Sequence, residues 1–124
     1  MEWIVKQHAR VLSGGSDVSI NLVTADFKPS RVSITFRNNV YLKITKNNFL
    51  VCGLQGTRMY FKAAAPAEGF KLSTFNKDKS SCIIRVQERQ LPISKNKIEI
   101  GDYKLEFDSN LKLYYIDAAH KITY

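Results

Sequence analysis

Apolar and polar residues alternate along much of this sequence. Val18, Ile20 and Leu22 are separated by Ser19 and Asn21, and a period of two is that of a β-strand with one buried face. The same alternation predicts further half-buried strands, and more continuous apolar runs predict two others. The alternating segments are 32–36, 40–44, 58–62 and 103–107, and the apolar runs are Cys82–Gln87 and Leu111–Ile116.

Turn-forming residues separate several of these segments. Asn38 and Asn39 stand between two predicted strands, and asparagine tolerates the left-handed backbone that tight hairpins require. The triplet at 108–110, Asp-Ser-Asn, gives a second hairpin signal between the last two strands. The strands are therefore expected to pair with their neighbours in antiparallel fashion.

Helix signals are sparse, and the best of them lies in the middle of the chain. Thr45 can cap the start of a helix, Phe49 and Cys52 fall on one of its sides, and Gly53 can close its end. We therefore predict one short helix near 46–53.

Length and composition fit a single folded unit. The chain has 124 residues, of which 44% are hydrophobic and 11% aromatic, and such a chain is too apolar to stay disordered. We predict one β-rich domain over residues 1–124. Its class is all-β or α+β, built as a twisted antiparallel sheet or a partly closed barrel. Residues 32–62 and 82–116 also share a loose pattern of strand, polar break and second strand pair.

Charge is distributed unevenly along the chain. The formal net charge is +8, and residues 28–97 carry 14 basic and 3 acidic groups, so the two ends are mildly acidic. Between Phe27 and Ala67 there are seven lysines or arginines and no carboxylate. A run of one sign favours an acidic partner over a merely soluble surface, which would mix both signs.

If the apolar members of the central strands face the core, the pleat places basic and tyrosine side chains on the other face. Lysine and arginine neutralise phosphates, and tyrosine stacks on unpaired bases. The alternative is that these side chains only solubilise the strands and pair across them. The predicted nucleic-acid-binding residues are Arg37, Tyr41, Lys43, Lys46, Arg58, Tyr60 and Lys62.

Residues 39–61 resemble the DNA-binding unit of AbrB-type swapped-hairpin regulators. That unit has a strand, a brief helix ending in Leu-Gly-aliphatic and a second strand, and Val51-Cys52-Gly53-Leu54 occupies the helix end. The resemblance implies dimers that exchange hairpins, and DNA contacts from Arg37, Lys43 and Lys46. The family's proline after the first strand is absent here. In overall style the sequence is similar to small proteins of phages and mobile elements.

Motifs of enzymes and metal sites are absent from the sequence. His8 and His120 lie near opposite ends, and Cys52 and Cys82 lack the C-x-x-C spacing of a zinc clip. We expect two free, apolar cysteines, with a single disulfide as the alternative. Four carboxylates near one hairpin are interpreted as a solvated acidic edge, with an enzyme site as the remote alternative. They are Glu99, Asp102, Glu106 and Asp108.

The sequence thus predicts a non-enzymatic binding protein without a cofactor, whose partner is DNA or RNA. The second hypothesis is a protein–protein module, such as a phage-encoded inhibitor or a small virion or assembly component that docks on an acidic protein. Tyr114, Tyr115 and Tyr124 would anchor such an interface. No signal peptide or long apolar segment is evident, so we expect a cytoplasmic protein, in the host if phage-encoded, and leave homo-oligomers open.

Overall fold

The computed structural model describes residues 16–25, 28–75, 78–91, 93 and 98–123, and they form two five-stranded antiparallel sheets. The predicted β-rich fold is confirmed, and the described strands form two open sheets, not a closed barrel. The elements are β1 (Val18–Ala25), β2 (Lys28–Phe36), α1 (Tyr41–Ile44), β3 (Phe49–Gln55), β4 (Arg58–Ala63), β5 (Phe70–Lys71), β6 (Ser73–Phe75), β7 (Asp78–Gln87), β8 (Gly101–Tyr103), β9 (Glu106–Asp108), β10 (Leu113–Asp117) and a 3₁₀ helix (Ala118–His120).

Sheet 1 has the strand order β6-β7-β2-β1-β8. Its central pair, β2 and β7, aligns Ile34 with Ile84 and Ser33 with Arg85. Because side chains alternate across a strand, the first pair faces inward and the second outward. The period-two pattern of the sequence therefore marked the correct buried face of this sheet.

Sheet 2 has the order β5-β3-β4-β10-β9. The β3–β4 hairpin aligns Gln55 with Arg58 across a two-residue turn. Gly56 opens that turn with a φ of 63°, a left-handed backbone that glycine adopts without steric cost. The turn fixes the register of β4, and it thereby points Met59 into the core.

The core lies between the inner faces of the two sheets. Phe36 of sheet 1 meets Phe61 of sheet 2 edge-on, with ring centroids 5.2 Å apart and planes at 77°. An aromatic pair of this kind contributes about 0.5–1.5 kcal/mol beyond the area that it buries. The other fully buried side chains of the two sheets include Val18, Ile20, Val32, Ile34, Leu50, Met59, Ile84, Tyr103 and Ile116.

The two halves of the chain contribute alike to the two sheets. Sheet 1 contains the hairpin β1–β2 from the first half and β6–β7 from the second, and sheet 2 contains β3–β4 and β9–β10. In each sheet one strand of the first hairpin pairs with one strand of the second, as β2 with β7 and β4 with β10. This arrangement goes beyond the segments 32–62 and 82–116, because β1 and β6 lie outside them, and β8 has no counterpart in the first half.

The strand predicted at 40–44 is wrong, because the structure forms a single helical turn, α1, there. Val40 and Ile44 suit both patterns, since positions i and i+4 share a helix face. Leu42 distinguishes the two patterns, because a strand would turn it to the same side as Val40 and Ile44, whereas a helix turns it away from them. It is 51% exposed, as the helix requires. The left-handed backbone predicted for Asn38 and Asn39 is confirmed by φ of 55° and 59°, but the predicted hairpin is wrong, because β2 pairs with β1 and β7 and a helix follows the turn. That helix crosses between the sheets.

The short helix predicted near 46–53 is also wrong, because residues 46–48 form bends and β3 begins at Phe49. The Thr45 hydroxyl does not cap a helix. It donates to the side chain of Asn47 at 2.6 Å and accepts the Asn47 N–H at 3.3 Å, which bends the chain into the strand. Gly53 lies inside β3 and does not end a helix, so the helix implied by the AbrB resemblance is not present at Val51–Leu54.

The strand predicted at 103–107 is divided between the sheets. Tyr103 ends β8 of sheet 1 and Glu106 begins β9 of sheet 2. At the crossing, the Leu105 N–H donates to an Asp17 carboxylate oxygen at 3.1 Å. Alternation alone does not reveal such a crossing, because it continues through it. The predicted hairpin at 108–110 is confirmed by the β9–β10 pairing.

Some predictions fall on residues that the structure does not describe. His8 and Tyr124 are among them, so their roles stay predictions. Over the part of the chain that is described, no helix is both long enough and apolar enough to cross a lipid bilayer.

Candidate functional site

Three of the predicted binding residues lie together on the outer face of sheet 2. Arg58, Tyr60 and Lys62 are alternate residues of β4, and Met59 and Phe61 between them are buried. The pleat therefore turns all three side chains away from the core. The local pattern of this strand was predicted correctly.

Arg58 is engaged by carboxylates from the C-terminal part of the chain. Its Nε lies 3.1 Å from Asp117 Oδ2 and its Nη1 lies 3.5 Å from Asp108 Oδ2. Nη1 also donates to the Tyr60 hydroxyl at 3.2 Å. These hydrogen bonds, to Tyr60 first and then to Asp117, raise the pKa of Arg58. A guanidinium already shared among these groups has few donors left for a phosphate.

The same face continues with more acidic than basic groups. The Arg58 guanidinium carbon lies 4.3 Å from the Tyr115 ring centroid, and Glu106 accepts from the Tyr115 hydroxyl at 3.5 Å. Glu106 also lies 2.7 Å from His120 Nδ1. We name this set the paired cluster. It consists of Arg58, Tyr60, Glu106, Asp108, Tyr115, Asp117 and His120.

Two other predicted binding residues lie apart from this face. Arg37 follows β2 of sheet 1, and its guanidinium donates to the Ser19 hydroxyl, which in turn donates to Asp102. Tyr41 lies in α1 and packs against the core beside Cys82. Burial raises the pKa of Tyr41. The geometry gives both side chains structural contacts, and their binding roles stay predictions.

Lys43 and Lys46 are exposed, the first in α1 and the second in the following loop. No ion pair joins either lysine to another described residue. The structure therefore does not gather the seven predicted residues into one surface. It places three on β4, two near α1, one at the end of β2 and one against the core.

Among the side chains that the structure describes, a concentration of available positive charge lies on sheet 1 instead. Arg31 of β2 and Arg85 of β7 occupy diagonal positions on the outward side of the central pair, and Arg89 follows in the next turn. All three are exposed, and no ion pair joins them to a described carboxylate. We name this site, of about 310 Å³, the arginine groove. Its lining is Arg31, Arg85, Val86, Gln87, Arg89 and Gln90.

The arginine groove occupies one end of the outward side of sheet 1. Ser19 and Thr35 have the same outward register but are buried, at 3% and 9% exposure. Glu88 stands between Gln87 and Arg89 in sequence, so one carboxylate lies in the adjoining turn. Arg31, Arg85 and Arg89 are by contrast exposed at their end of this side.

Sequence reasoning missed this site because its members are distant in the chain. Arg31 and Arg85 meet only through the pairing of β2 with β7, which joins the two halves. The available signal was the alternation in the second half of the apolar run at 82–87, where Ile84 and Val86 are separated by Arg85 and Gln87 follows on the same side as Arg85. The pairing partner of that strand could not be read from it.

The predicted acidic edge does not form a single site. Asp102 lies in sheet 1 and Glu106 in sheet 2, and Glu99 is 3.2 Å from Lys121. Asp108 accepts the backbone N–H groups of its own turn, which lowers its pKa. Among the described residues no cluster of three or more histidines, cysteines or carboxylates could hold a metal ion.

The two cysteines are free thiols, as predicted. Burial raises the pKa of Cys52 to about 12 and also raises that of Cys82. Both therefore stay protonated near neutral pH, and thiols in this state are poor nucleophiles.

In comparisons with known proteins, no family model, no curated protein and no solved structure matches this chain.

Proposed function

We propose that this protein acts by binding, not by catalysis, and that its ligand is the phosphate backbone of a nucleic acid. One observation carries the proposal: three arginines line a single groove and none is ion-paired with a described carboxylate. Arginine presents a planar fork of donors that matches two phosphate oxygens at once. Three such groups can hold successive phosphates of one strand.

The neutral lining of the arginine groove supports the same ligand. Gln87 and Gln90 add amide donors beside the guanidinium groups, and such donors commonly contact phosphate and sugar oxygens. None of the described residues that line the groove is aromatic. We therefore expect contacts to the backbone and not base stacking, and affinity that depends little on sequence.

The predicted residues of β4 take a smaller part in this proposal. Arg58 and Tyr60 are held within the paired cluster, whereas Lys43, Lys46 and Lys62 are exposed and stay candidates for additional contacts. The proposed setting is a reducing interior such as the cytoplasm, which is the host cytoplasm if a phage encodes the protein. Cys52 and Cys82 would remain thiols there.

The test is a titration of labelled duplex and single-stranded DNA at about 50 and 200 mM salt, a range over which phosphate contacts weaken strongly. Three neutralised phosphates predict a log–log salt slope of about −3. Arg31→Glu combined with Arg85→Glu should lower affinity at least about tenfold at the lower salt, because reversing both charges makes the groove repel phosphate.

The matched control is Lys71→Glu combined with Lys104→Glu, which changes net charge by the same amount at two exposed lysines that do not line the arginine groove. It should weaken binding much less than the arginine pair. An equal loss in both variants would show dependence on net charge alone, and would contradict the arginine groove as the site. Absence of binding by the unaltered protein at the lower salt would contradict the whole proposal.

A second proposal, the protein–protein module, is favoured by a different observation. The outer face of sheet 2 carries a groove with several apolar side chains, and Leu111 at its rim is 53% exposed. Apolar side chains exposed together beside a groove are typical of interaction sites. The kind of partner follows from the geometry of that groove.

A further inference from the structure

Gly53 lies inside β3 without a backbone reason to be glycine. It is not among the residues with positive φ, which include Gly56 and Gly101. A glycine within a strand destabilises the strand relative to alanine, because it loses more backbone freedom on folding. A Cβ built on Gly53 would meet no atom within 4 Å. Glycine in such a place often marks the close approach of a ligand or another backbone.

The space over Gly53 is open because its cross-strand partner leans away. Tyr60 stands opposite Gly53 in the β3–β4 ladder, and an aromatic residue in that position can cover a glycine. Here the Tyr60 ring lies 5.4 Å from the Tyr115 ring, and Arg58 donates to its hydroxyl. The paired cluster therefore holds Tyr60 to one side.

The resulting Gly53 groove has a volume of about 390 Å³. That volume lies at the small end of ligand pockets, which run from roughly 300 to 1,000 Å³ and are lined mainly by apolar and aromatic groups. Lys62 is the only ionised side chain among the described residues that line it. The outward-facing and rim residues are Val51, Gly53, Gln55, Tyr60, Lys62, Leu111 and Leu113.

An open strand edge adjoins the Gly53 groove. On the side away from β4, β3 pairs with β5 only at Phe49 and Leu50. No described strand pairs with Val51–Gln55 on that side. Edge N–H and C=O groups of this kind can pair with an added strand.

We propose that the Gly53 groove and the edge of β3 together bind an extended peptide segment of a partner protein. The peptide backbone pairs with Val51–Gln55, one aromatic or large apolar side chain fills the space over Gly53, and a neighbouring carboxylate meets Lys62. The open edge of β3 can pair only with an extended chain. The apolar lining of the Gly53 groove favours an apolar side chain, and Lys62 favours a nearby carboxylate. This site is independent of the arginine groove, because the two lie on opposite faces of the packed sheets.

The test selects random heptapeptides displayed on particles against the unaltered protein, with counter-selection on Gly53→Val. We expect the selected sequences to share an aromatic or large apolar residue two positions from a carboxylate, because alternate side chains of an extended peptide point to the same face. Their affinity should fall at least about tenfold in Gly53→Val, since the valine side chain occupies the groove without a clash. Ala63→Val adds the same side chain near the exposed end of β4 and should leave affinity unchanged.

Two further measurements separate the parts of the proposal. N-methylation of peptide amides that face the edge should abolish binding if the backbone pairs with β3. Lys62→Gln and removal of the peptide carboxylate should each weaken binding by a similar factor, and together by no more than either alone.

Other outcomes would overturn the proposal. They are failure to select any sequence, equal affinity for Gly53→Val, or binding that survives N-methylation, which would indicate a small apolar ligand in place of a strand. Thermal unfolding of Gly53→Val should occur at or above the temperature of the unaltered protein, which excludes loss of the fold as the cause. Its DNA affinity should also be unchanged, so failure here is distinct from failure of the arginine groove.

Discussion

The outward faces of the two sheets both contain arginine, yet only one leaves it available. On sheet 1, Arg31 and Arg85 lie on diagonal positions of neighbouring strands without a described carboxylate partner. On sheet 2, Arg58 lies within ion-pair distance of Asp108 and Asp117. The basic residues of a sequence therefore do not by themselves define a basic surface. What matters is which strand the fold places beside each of them.

The two faces differ because each sheet pairs strands from differently charged parts of the chain. The central pair of sheet 1 joins β2 to β7, and both strands belong to the basic stretch at 28–97. The central pair of sheet 2 joins β4 from that stretch to β10 from the acidic C-terminal part. Like charges thus meet on one face and opposite charges on the other.

Both faces are supported by the same hydrophobic core. The largest expected effect is therefore that of a core substitution, which should destabilise both sheets together. Phe36→Ala removes the ring that meets Phe61 between the sheets, and it should cost about 3–5 kcal/mol of unfolding free energy. Chemical denaturation followed by tyrosine fluorescence and by circular dichroism should give one coincident, shifted transition. Phe107→Ala, at a side chain that is 52% exposed, is the matched control and should cost far less. Two separate transitions would show that the sheets unfold independently.

A smaller loss should follow when the paired cluster is broken at its most buried carboxylate. Asp117 accepts from Thr57 Oγ1 at 2.7 Å, from the Ala119 N–H at 2.9 Å and from Arg58. Asp117→Asn should therefore cost about 1–3 kcal/mol. Glu68→Gln, at an exposed residue, should cost little. Equal losses in the two variants would contradict a structural role for the cluster.

The contribution of Asp117 to stability should depend on pH, in a direction that follows from the shift of its pKa. Burial alone would raise the pKa of Asp117, but hydrogen bonds from Thr57, Ala119 and Arg58 outweigh it, and the pKa is lowered. Stability from this group is present above the unfolded pKa of about 3.9 and is lost as pH falls through the folded value. Asp117→Asn should flatten that acid limb.

Alternation predicted correctly the strands whose apolar positions fit a period of two and no other period. Val32, Ile34 and Phe36 alternate and are buried as expected. In the segment at 40–53, a strand was predicted where the helix α1 forms, and a helix was predicted where β3 forms. Val40 and Ile44 fit the periods of both a strand and a helix, and Gly53 resembles the glycine that ends a helix. Pairing of β3 with β4 over six residue pairs decided the outcome, and tertiary contacts of this kind override local preference.

Neither candidate site could be found from sequence, for two different reasons. The arginine groove needs the pairing of β2 with β7, which alternation does not specify. The Gly53 groove needs the position of the Tyr60 ring, which depends on contacts from β10. Only the outward direction of Arg58, Tyr60 and Lys62 was local enough to predict.

The comparison of the two faces can be tested by removing one arginine from each. Arg85→Gln should lower DNA affinity a few-fold and reduce the salt slope by about one, as expected when one phosphate contact is lost. Arg58→Gln removes the same charge from the paired cluster and should leave the slope nearly unchanged. Titrations of both variants with the same duplex measure this difference. If Arg58→Gln has the larger effect, the assignment of binding to sheet 1 is wrong.

The smallest expected effect concerns His120 at the rim of the paired cluster. Its hydrogen bond to Glu106 and the charge of that carboxylate raise its pKa above 6.5. A raised folded pKa stabilises the fold below the unfolded value, and this contribution disappears as pH rises through the folded one. Proton NMR of the His120 ring should therefore show a midpoint above 6.5, and Glu106→Gln should return it toward that value. A midpoint that Glu106→Gln does not move would show that the ion pair is absent in solution. Glu106 would then add an uncompensated negative charge to the outer face of sheet 2. The difference in charge between this face and the arginine groove would be larger.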